Sequence, residues 1–246
     1  MVRRSWLLVL LLFVIAGGVR LGYGVRDARR AALASCAKCP FGAIAVALHS
    51  YHDVHGCFPP AYIADADGRP MHSWRVLLLP YVDSMELYRR YDFHEPWDGP
   101  HNRQLFDAMP KVFHSETEPP STRFANLVVV TGPGTAFPGA EPTRIADFQD
   151  GLDRTILATE VANSDIVWTE PRDLDIRTMA LSPNAPGRPS ISAVSWRDPY
   201  VVLGDSIRTY PVKPSLTGDA LRAMLTIAGG EGTPPPDGTS LPDRLD

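Results

Sequence analysis

The stretch Pro40–Gly56, PFGAIAVALHSYHDVHG, decides how this chain folds. Proline is favoured in the first turn of a helix, so we expect a helix to begin at Pro40. Apolar residues then recur at i, i+3, i+4 and i+7, which is one face of a helix: Phe41, Ile44, Ala45 and Leu48. Gly56, with two prolines shortly beyond it, is typical of a helix end. The spacing therefore predicts a helix from Pro40 to near Gly56.

The sequence before this helix indicates a membrane segment. Trp6–Val19 is a run of 14 residues without a charge, and it follows a pair of arginines. Extended to Val25, the run has 20 residues and one arginine, which suits a helix that crosses a bilayer. A cleaved signal peptide is the alternative, because small residues stand near the end of the run. Arg26–Leu48 stays compatible with a helix, so we favour an uncleaved single-pass anchor, residues 1–25, that continues into the domain.

The charges that flank this segment bear on its orientation. Four arginines follow the apolar run, against two before it: Arg20, Arg26, Arg29 and Arg30, against Arg3 and Arg4. Positive charge favours the cytoplasmic side of a membrane. Taken alone, the flanking charges would place the soluble domain in the cytoplasm.

The rest of the chain predicts short helices followed by strands. We expect helices at Asp83–Tyr91 and His101–Ala108, while the apolar run His72–Val82 fits either a strand or a short helix. Four runs between turn residues are predicted strands: Leu127–Thr131, Thr155–Val161, Ser192–Trp196 and Tyr200–Leu203. A closing helix, Asp219–Ala228, would have Asp219 as its N-cap.

The order of these elements, helices first and strands later, predicts an α+β fold. In it, one long N-terminal helix packs on an antiparallel β-sheet. The domain spans residues 26–228, and residues 229–246, rich in Gly, Pro and Asp, form a disordered tail. The net charge of −4 shows no basic excess, so no nucleic-acid partner is expected.

The cluster with the strongest metal-binding pattern is Cys36, Cys39, His49, His52, His55 and Cys57. A Cys-x-x-Cys pair followed by His and Cys has the ligand types of a zinc site. A second pair at the usual finger spacing is missing, and no βαβ pattern supports a redox pair. We therefore favour small, half-buried cysteines on a helix and the turn after it.

Three further segments carry groups that could act chemically. Gly132–Gly139, GPGTAFPG, lacks the Lys-Ser/Thr of a phosphate loop, so we predict a rigid surface loop. Asp147, Asp150 and Asp153 could bind a hard cation, but an Asp-Gly turn before a strand explains them more simply. The last set could form a recognition surface, although we favour a buried tryptophan flanked by an Arg–carboxylate pair: Trp168, Glu170, Arg172 and Asp173. We therefore predict no catalytic, cofactor-binding or metal-ligating residues, and no enzyme.

Five segments, taken in order, resemble the DUF1559 family, a large set of planctomycete proteins. They are ALHSYHDVHGCFPPAY (Ala47–Tyr62), HSWRVLLLPYVD (His72–Asp83), FHEPWDGPHN (Phe93–Asn102), GPGTAFPG (Gly132–Gly139) and VWTEPRDL (Val167–Leu174). The resemblance covers Ala28–Gly230. It implies a pilin-like or pseudopilin-like protein, exported with its N-terminus inside, so that the domain lies outside the cytoplasm.

The chain departs from the family pattern at several positions. The prepilin cleavage motif is replaced by Arg4-Ser5-Trp6, and the apolar run holds no glutamate. In the C-terminal signature Asp205 fits, but serines stand at the histidine and glycine positions, Ser195 and Ser206. The family's second cysteine is replaced at His114–Ser115. If a disulfide forms here, the resemblance therefore implies that Cys57 pairs with Cys36 or Cys39.

Two functions are consistent with the sequence. The first is a non-enzymatic, membrane-anchored envelope protein that binds other pilin-like or secretion proteins, as in a type II secretion or pilus-like apparatus. The second is an envelope carbohydrate-binding protein or an enzyme. A flat surface near Trp168 and His72 would favour the first, and a deep pocket with converging carboxylates would favour the second.

Overall fold

The computed structural model describes residues 40–115, 121–193, 198–205 and 209–229. The predicted anchor, the Cys36–Cys39 pair and nearly all of the predicted tail lie outside these residues. The described residues belong to one compact unit. Within them, no helix is both long enough and apolar enough to cross a membrane.

The first described helix, α1, spans Pro40–His55, as the sequence predicts. It ends at Gly56, whose φ of 74° is the left-handed conformation that glycine adopts without strain. The Gly56 N–H donates to the carbonyl of His52 at 2.8 Å and closes the last turn. The first half of α1 is buried on nearly all sides because its residues are almost all apolar.

A four-stranded antiparallel sheet in the order β3-β5-β7-β8 forms the centre of the domain. Its strands are Leu127–Val128 (β3), Ile156–Glu160 (β5), Tyr200–Leu203 (β7) and Thr209–Pro211 (β8). Helix α1 packs against β5 and β7, and Phe41 meets Tyr200 edge to face with ring centroids 6.3 Å apart. The predicted α+β class, with a helix on an antiparallel sheet, is confirmed for the described residues.

Successive side chains of a strand point to opposite faces of the sheet, so apolar strand residues contribute to two cores, one on each face. Val202 joins the core that contains α1, whereas its neighbours Val201 and Leu203 join the core on the other face. That second core is closed by the last helix, α4 (Gly218–Leu225), through Leu221 and Leu225. The domain is therefore layered, with the sheet between two helical layers.

Two smaller sheets flank this centre. Strands β1 (Tyr62–Ala64) and β2 (Pro70–Ser73) form an antiparallel pair, and β4 (Val130–Thr131) and β6 (Leu174–Asp175) form a parallel pair. The run His72–Val82, which the sequence leaves open, is strand and then helix. It enters as β2, becomes α2 (Trp74–Leu78) with Ser73 as its N-cap, and ends in a 3-10 turn.

Other predicted elements are confirmed or corrected. Helix α3 spans Met85–Arg90 within the predicted helix at Asp83–Tyr91, whereas the segment predicted at His101–Ala108 is a 3-10 helix, Asn102–Ala108. Residues 192 and 193 of the predicted strand Ser192–Trp196 are not in a strand, and residues 194–196 lie outside the described residues.

The N-cap predicted for the closing helix is wrong. Thr217, not Asp219, caps α4, because the Thr217 side chain accepts a hydrogen bond from the N–H of Ala220. Helix α4 therefore begins at Gly218, and Asp219 lies within its first turn, where a carboxylate suits the positive end of the helix dipole.

Candidate functional site

A buried ion pair joins α2 to the segment that leads into β6. Arg75 Nη2 lies 2.6 Å from Asp173 Oδ1, and both side chains are almost fully inaccessible, at 0% and 2% exposure. The guanidinium also donates to the carbonyl of Leu127 through Nε at 3.3 Å and Nη2 at 3.1 Å. The carboxylate accepts from Trp74 Nε1 at 3.1 Å and from the Val129 N–H at 3.0 Å.

This pair sits where the chain passes from one sheet to another. Leu127 belongs to β3, and Val129 separates β3 from β4, so the strand predicted at Leu127–Thr131 is divided in two. The Val129 N–H donates a hydrogen bond to the Asp173 carboxylate, and the Val129 carbonyl accepts one from the Leu174 N–H at 3.3 Å. Arg75 and Asp173 thus satisfy backbone groups that would otherwise be buried without partners.

Burial dominates the protonation of Asp173. Removal from water raises the pKa of this carboxyl to about 6, although Arg75, the Val129 N–H and the Trp74 N–H all favour the charged form. The sequence predicts an Arg–carboxylate pair in this segment without specifying which carboxylate takes part. Arg172 reaches Glu170 at 2.6 Å and Asp165 at 2.9 Å on the surface, whereas Asp173 pairs with Arg75.

The predicted buried tryptophan is confirmed. Trp168 is fully buried, and its Nε1–H donates to the carbonyl of Leu105 at 3.1 Å. Its ring stacks on Phe113 with centroids 6.4 Å apart and planes 9° apart. The Arg172–Glu170 pair flanks it, as predicted, so Trp168 serves the core and is not a surface for recognition.

The three histidines of α1 have different partners. His49 Nε2 lies 2.6 Å from the carbonyl of Gly204, and His52 Nε2 accepts from the Ile145 N–H at 3.4 Å. His55 Nε2 lies 3.0 Å from the Tyr81 hydroxyl and its ring stacks on Tyr51, whose pKa burial raises to about 12.

The cysteine and metal predictions concern the same helix. Cys57 carries a free, half-buried thiol that contacts the carbonyl of His55 at 3.7 Å. Its pairing with Cys36 or Cys39 stays a prediction, since both lie outside the described residues. Within the described part of the chain, no group of three or more His, Cys, Asp or Glu residues could hold a metal ion.

The aspartates of the predicted turn each have a local role where the structure shows their contacts. Asp147 Oδ2 accepts from the Arg144 N–H at 2.7 Å, and Asp150 Oδ2 accepts from the Gly229 N–H at 2.6 Å. Gly151 has a φ of 96°, which confirms the Asp-Gly turn before β5. Asp153 lies in the 3-10 turn that follows.

The prediction of a surface loop at Gly132–Gly139 is wrong. Only its tip, at Pro133 and Gly134, is exposed, while Thr135 and Phe137 are buried. Glycines with positive φ allow the segment to fold inward, where Phe137 packs against Trp74 with ring centroids 6.4 Å apart. Apart from its tip, the segment is therefore part of the core, and the Thr135 hydroxyl donates to the carbonyl of Gly132 at 2.8 Å.

A polar cavity lies beside α3. Its volume is about 450 Å³, and it is lined by Arg89, Arg90, Tyr91, Asp92, His101, Gln104 and Leu105. Two lining residues contact His72 and Trp168: the Tyr91 hydroxyl lies 2.9 Å from His72 Nδ1, and the Leu105 carbonyl accepts a hydrogen bond from Trp168 Nε1. Of the lining residues only Asp92 is a carboxylic acid.

The loop FHEPWDGPHN, which contributes His101 to the lining of this cavity, is organised by a buried asparagine. Asn102 Oδ1 accepts from the Asp92 N–H at 2.9 Å, and its Nδ2 donates to the carbonyls of Asp92 at 2.8 Å and Pro96 at 3.1 Å. Its own N–H donates to Glu95 Oε1 at 2.5 Å. Because Asn102 is fully buried, these bonds fix the loop strongly.

The sequence predicts neither the buried Arg75–Asp173 pair nor the cavity beside α3. Arg75 carried a signal, since it is the only charge in the apolar run His72–Val82 and such a charge must find a partner. The residues that line the cavity carry no such signal in the sequence, because exposed arginines, histidines and glutamines are common on any protein surface.

The fold and these contacts define an α+β domain in which a buried helix packs on an antiparallel sheet. Residues 27–135 match the family described as "Protein of unknown function (DUF1559)". The match includes α1, Arg75 and the whole cavity, and it ends before Asp173. No curated protein and no solved structure matches the chain.

Proposed function

We propose that this protein is a non-enzymatic, membrane-anchored component of the cell envelope with pilin-like architecture. Its apolar N-terminal segment holds it in the membrane, and its domain lies outside the cytoplasm. There it serves as a structural or interaction module that binds other pilin-like or secretion proteins.

The observation that carries this proposal is the packing of α1 on the sheet. The helix lies against β5 and β7, and the apolar segment Trp6–Val19 precedes it in the sequence. A helix that begins in a membrane and ends against an antiparallel sheet is the arrangement that the family resemblance implies. The burial of Phe41, Ile44 and Leu48 supplies the apolar contact that keeps the helix on the sheet.

The contacts at the far end of α1 support a rigid module. His49 and His52 tie this end of the helix to Gly204 and Ile145, which are distant in sequence. These contacts fix α1 to the rest of the domain, which suits a module that presents a rigid surface to a partner.

Alkaline carbonate extraction of native membranes tests the anchor, with Leu10→Arg/Phe13→Arg as the variant and Leu10→Ala/Phe13→Ala as the matched control. The wild-type and alanine chains should stay in the pellet, and the arginine chain should be released, because charges at the centre of a span are costly. Release of the wild-type chain would contradict the proposal.

Affinity capture of the full chain from native membranes tests the partners. Co-purification of pilin-like or secretion proteins with the wild-type chain, and not with Leu10→Arg/Phe13→Arg, is the expected result. Recovery of the intact wild-type chain without any such protein would contradict the interaction role while leaving the anchor in place.

A further inference from the structure

The cavity beside α3 combines an apolar floor with a polar rim. Tyr91 and Leu105 are buried and form the floor, whereas the rim consists of side chains that donate or accept hydrogen bonds. A volume of about 450 Å³ falls in the range of small-molecule sites. Mixed donors and acceptors over an apolar floor suit a ligand rich in hydroxyl groups.

The cationic groups on the rim are largely uncommitted. Arg90 makes no ion pair with any residue that the structure describes, and Arg89 has one exposed contact, 3.9 Å from Glu86. By contrast, His101 Nε2 lies 2.7 Å from the carbonyl of Arg90. Two guanidinium groups are therefore available to a ligand, and guanidinium groups bind carboxylates in a bidentate manner.

The acidic groups nearby are mostly committed to the loop itself. Glu95 accepts the Asn102 N–H at 2.5 Å, and Asp98 faces Arg103 at 3.5 Å. One oxygen of Asp92 accepts the His94 N–H at 2.8 Å. Asp92 keeps its second oxygen, and Gln104 donates to the Pro100 carbonyl at 3.3 Å and keeps its amide oxygen, so two acceptors face the same cavity as the arginines.

The walls of the cavity are held in place before any ligand arrives. Asn102 fixes the loop, the His72–Tyr91 bond fixes one half of the floor, and the Trp168–Leu105 bond fixes the other. A site that needs little ordering on binding loses less free energy to entropy.

We propose that this cavity binds an acidic sugar residue, such as a uronic acid of an envelope polysaccharide. The sugar carboxylate would bind Arg89 and Arg90, and ring hydroxyls would donate to Asp92 and Gln104. The choice of an envelope polysaccharide as the source of the sugar rests on the proposed location of the domain, whereas binding of the acidic sugar itself requires neither the membrane anchor nor a pilin-like partner.

Isothermal titration calorimetry on the full chain, in a detergent without a sugar headgroup, tests the proposal. The probes are a trisaccharide of galacturonic acid, the neutral galactose trisaccharide and sodium sulfate. The acidic trisaccharide should bind, and each of the other two should bind at least about tenfold more weakly. Equal binding of the neutral sugar or of sulfate, or no binding of the acidic sugar, would overturn the proposal.

Matched variants locate the site. Arg90→Gln should weaken binding of the acidic trisaccharide by about tenfold or more, because a charge-assisted contact is lost. Arg69→Gln removes the same charge from an exposed turn at Asp65–Arg69 and should leave binding unchanged. Both arginines are at the surface, so both variants should fold, and equal affinity of Arg90→Gln and the wild-type chain would refute the assignment.

Discussion

Arg75 and Asp173 lie 98 residues apart in the sequence, yet their side chains meet 2.6 Å apart in the core. Between them they bind the carbonyl of Leu127 and the N–H of Val129, at the point where the chain leaves one sheet for another. The pair therefore joins α2, the central sheet and the approach to β6.

Removal of one partner of this pair should be strongly destabilising. Arg75→Met leaves the Asp173 carboxylate buried without its cation, and we expect a loss of about 3–5 kcal/mol in the free energy of unfolding. Arg75→Met/Asp173→Leu should recover part of this loss, because it leaves no unpaired charge. Urea denaturation of the full chain in detergent measures all three proteins.

The exposed pair Arg177–Asp175 provides the matched control. Arg177 Nη2 and Asp175 Oδ2 lie 2.5 Å apart, about as close as the atoms of the buried pair, but the two side chains are 68% and 28% exposed. Arg177→Met should therefore cost about 1 kcal/mol or less. A similar cost for Arg75→Met and Arg177→Met would show that the buried pair does not hold these elements together.

The raised pKa of Asp173 should appear in the pH dependence of stability. With a folded-state pKa of about 6 against an ordinary 3.8, the folded chain binds a proton that the unfolded chain has lost between these values. The stability that Asp173 contributes is thus fully present below pH 3.8 and is lost as the pH rises through about 6.

His72 contributes a pH dependence of stability with the opposite sign, so the contributions of His72 and Asp173 must be measured separately. Burial lowers the pKa of His72, and its contribution is present above pH 6.5 and lost as the pH falls. The difference in unfolding free energy between wild type and Asp173→Asn isolates Asp173. This difference should change between pH 4 and pH 6.5, and a constant difference would contradict the raised pKa.

Asn102 should be essential to the loop that contributes His101 to the cavity. Asn102→Asp replaces the amide donor, so the carbonyls of Asp92 and Pro96 lose their partner inside the core. We expect a loss of about 2–4 kcal/mol, measured by denaturation at neutral pH. The neighbouring change Gln104→Glu, on an exposed side chain, should cost much less, and equal losses would contradict this role.

The N-terminal segment should remain on the mature protein. In pilins, cleavage just before a phenylalanine and a glutamate in the early helix set the register of the fibre. Here no Gly-Phe junction precedes the apolar run Trp6–Val19, and the run holds no carboxylate. We therefore expect a tethered monomer or accessory subunit that does not polymerise by itself. N-terminal sequencing of the native protein that finds a methylated start within Val2–Leu10 would contradict this expectation.

The sequence predicts those parts of the fold that depend on local signals. Pro40, the apolar spacing and Gly56 are close together, so the bounds of α1 follow from the sequence with little error. Strands β5 and β7 are also predicted, because runs of β-branched and apolar residues between turns carry their own pattern.

The features that the sequence does not predict depend on distant residues. No local signal brings Asp173 to Arg75, and the division of Leu127–Thr131 follows from that pairing. Thr217 and Asp219 are both good N-caps, and only packing in the domain decides between them. The glycine-rich segment has a surface-loop composition, but Phe137 takes it into the core.

The most direct test of the proposed function is the location of the C-terminus relative to the membrane. Alkaline phosphatase fused after Asp246 folds only outside the cytoplasm, and a cytoplasm-restricted reporter fused at the same residue gives the reciprocal signal. We predict active phosphatase and a silent cytoplasmic reporter. Inactive phosphatase with an active cytoplasmic reporter would place the domain inside the cell, as the flanking arginines alone suggest, and would contradict the proposed envelope function.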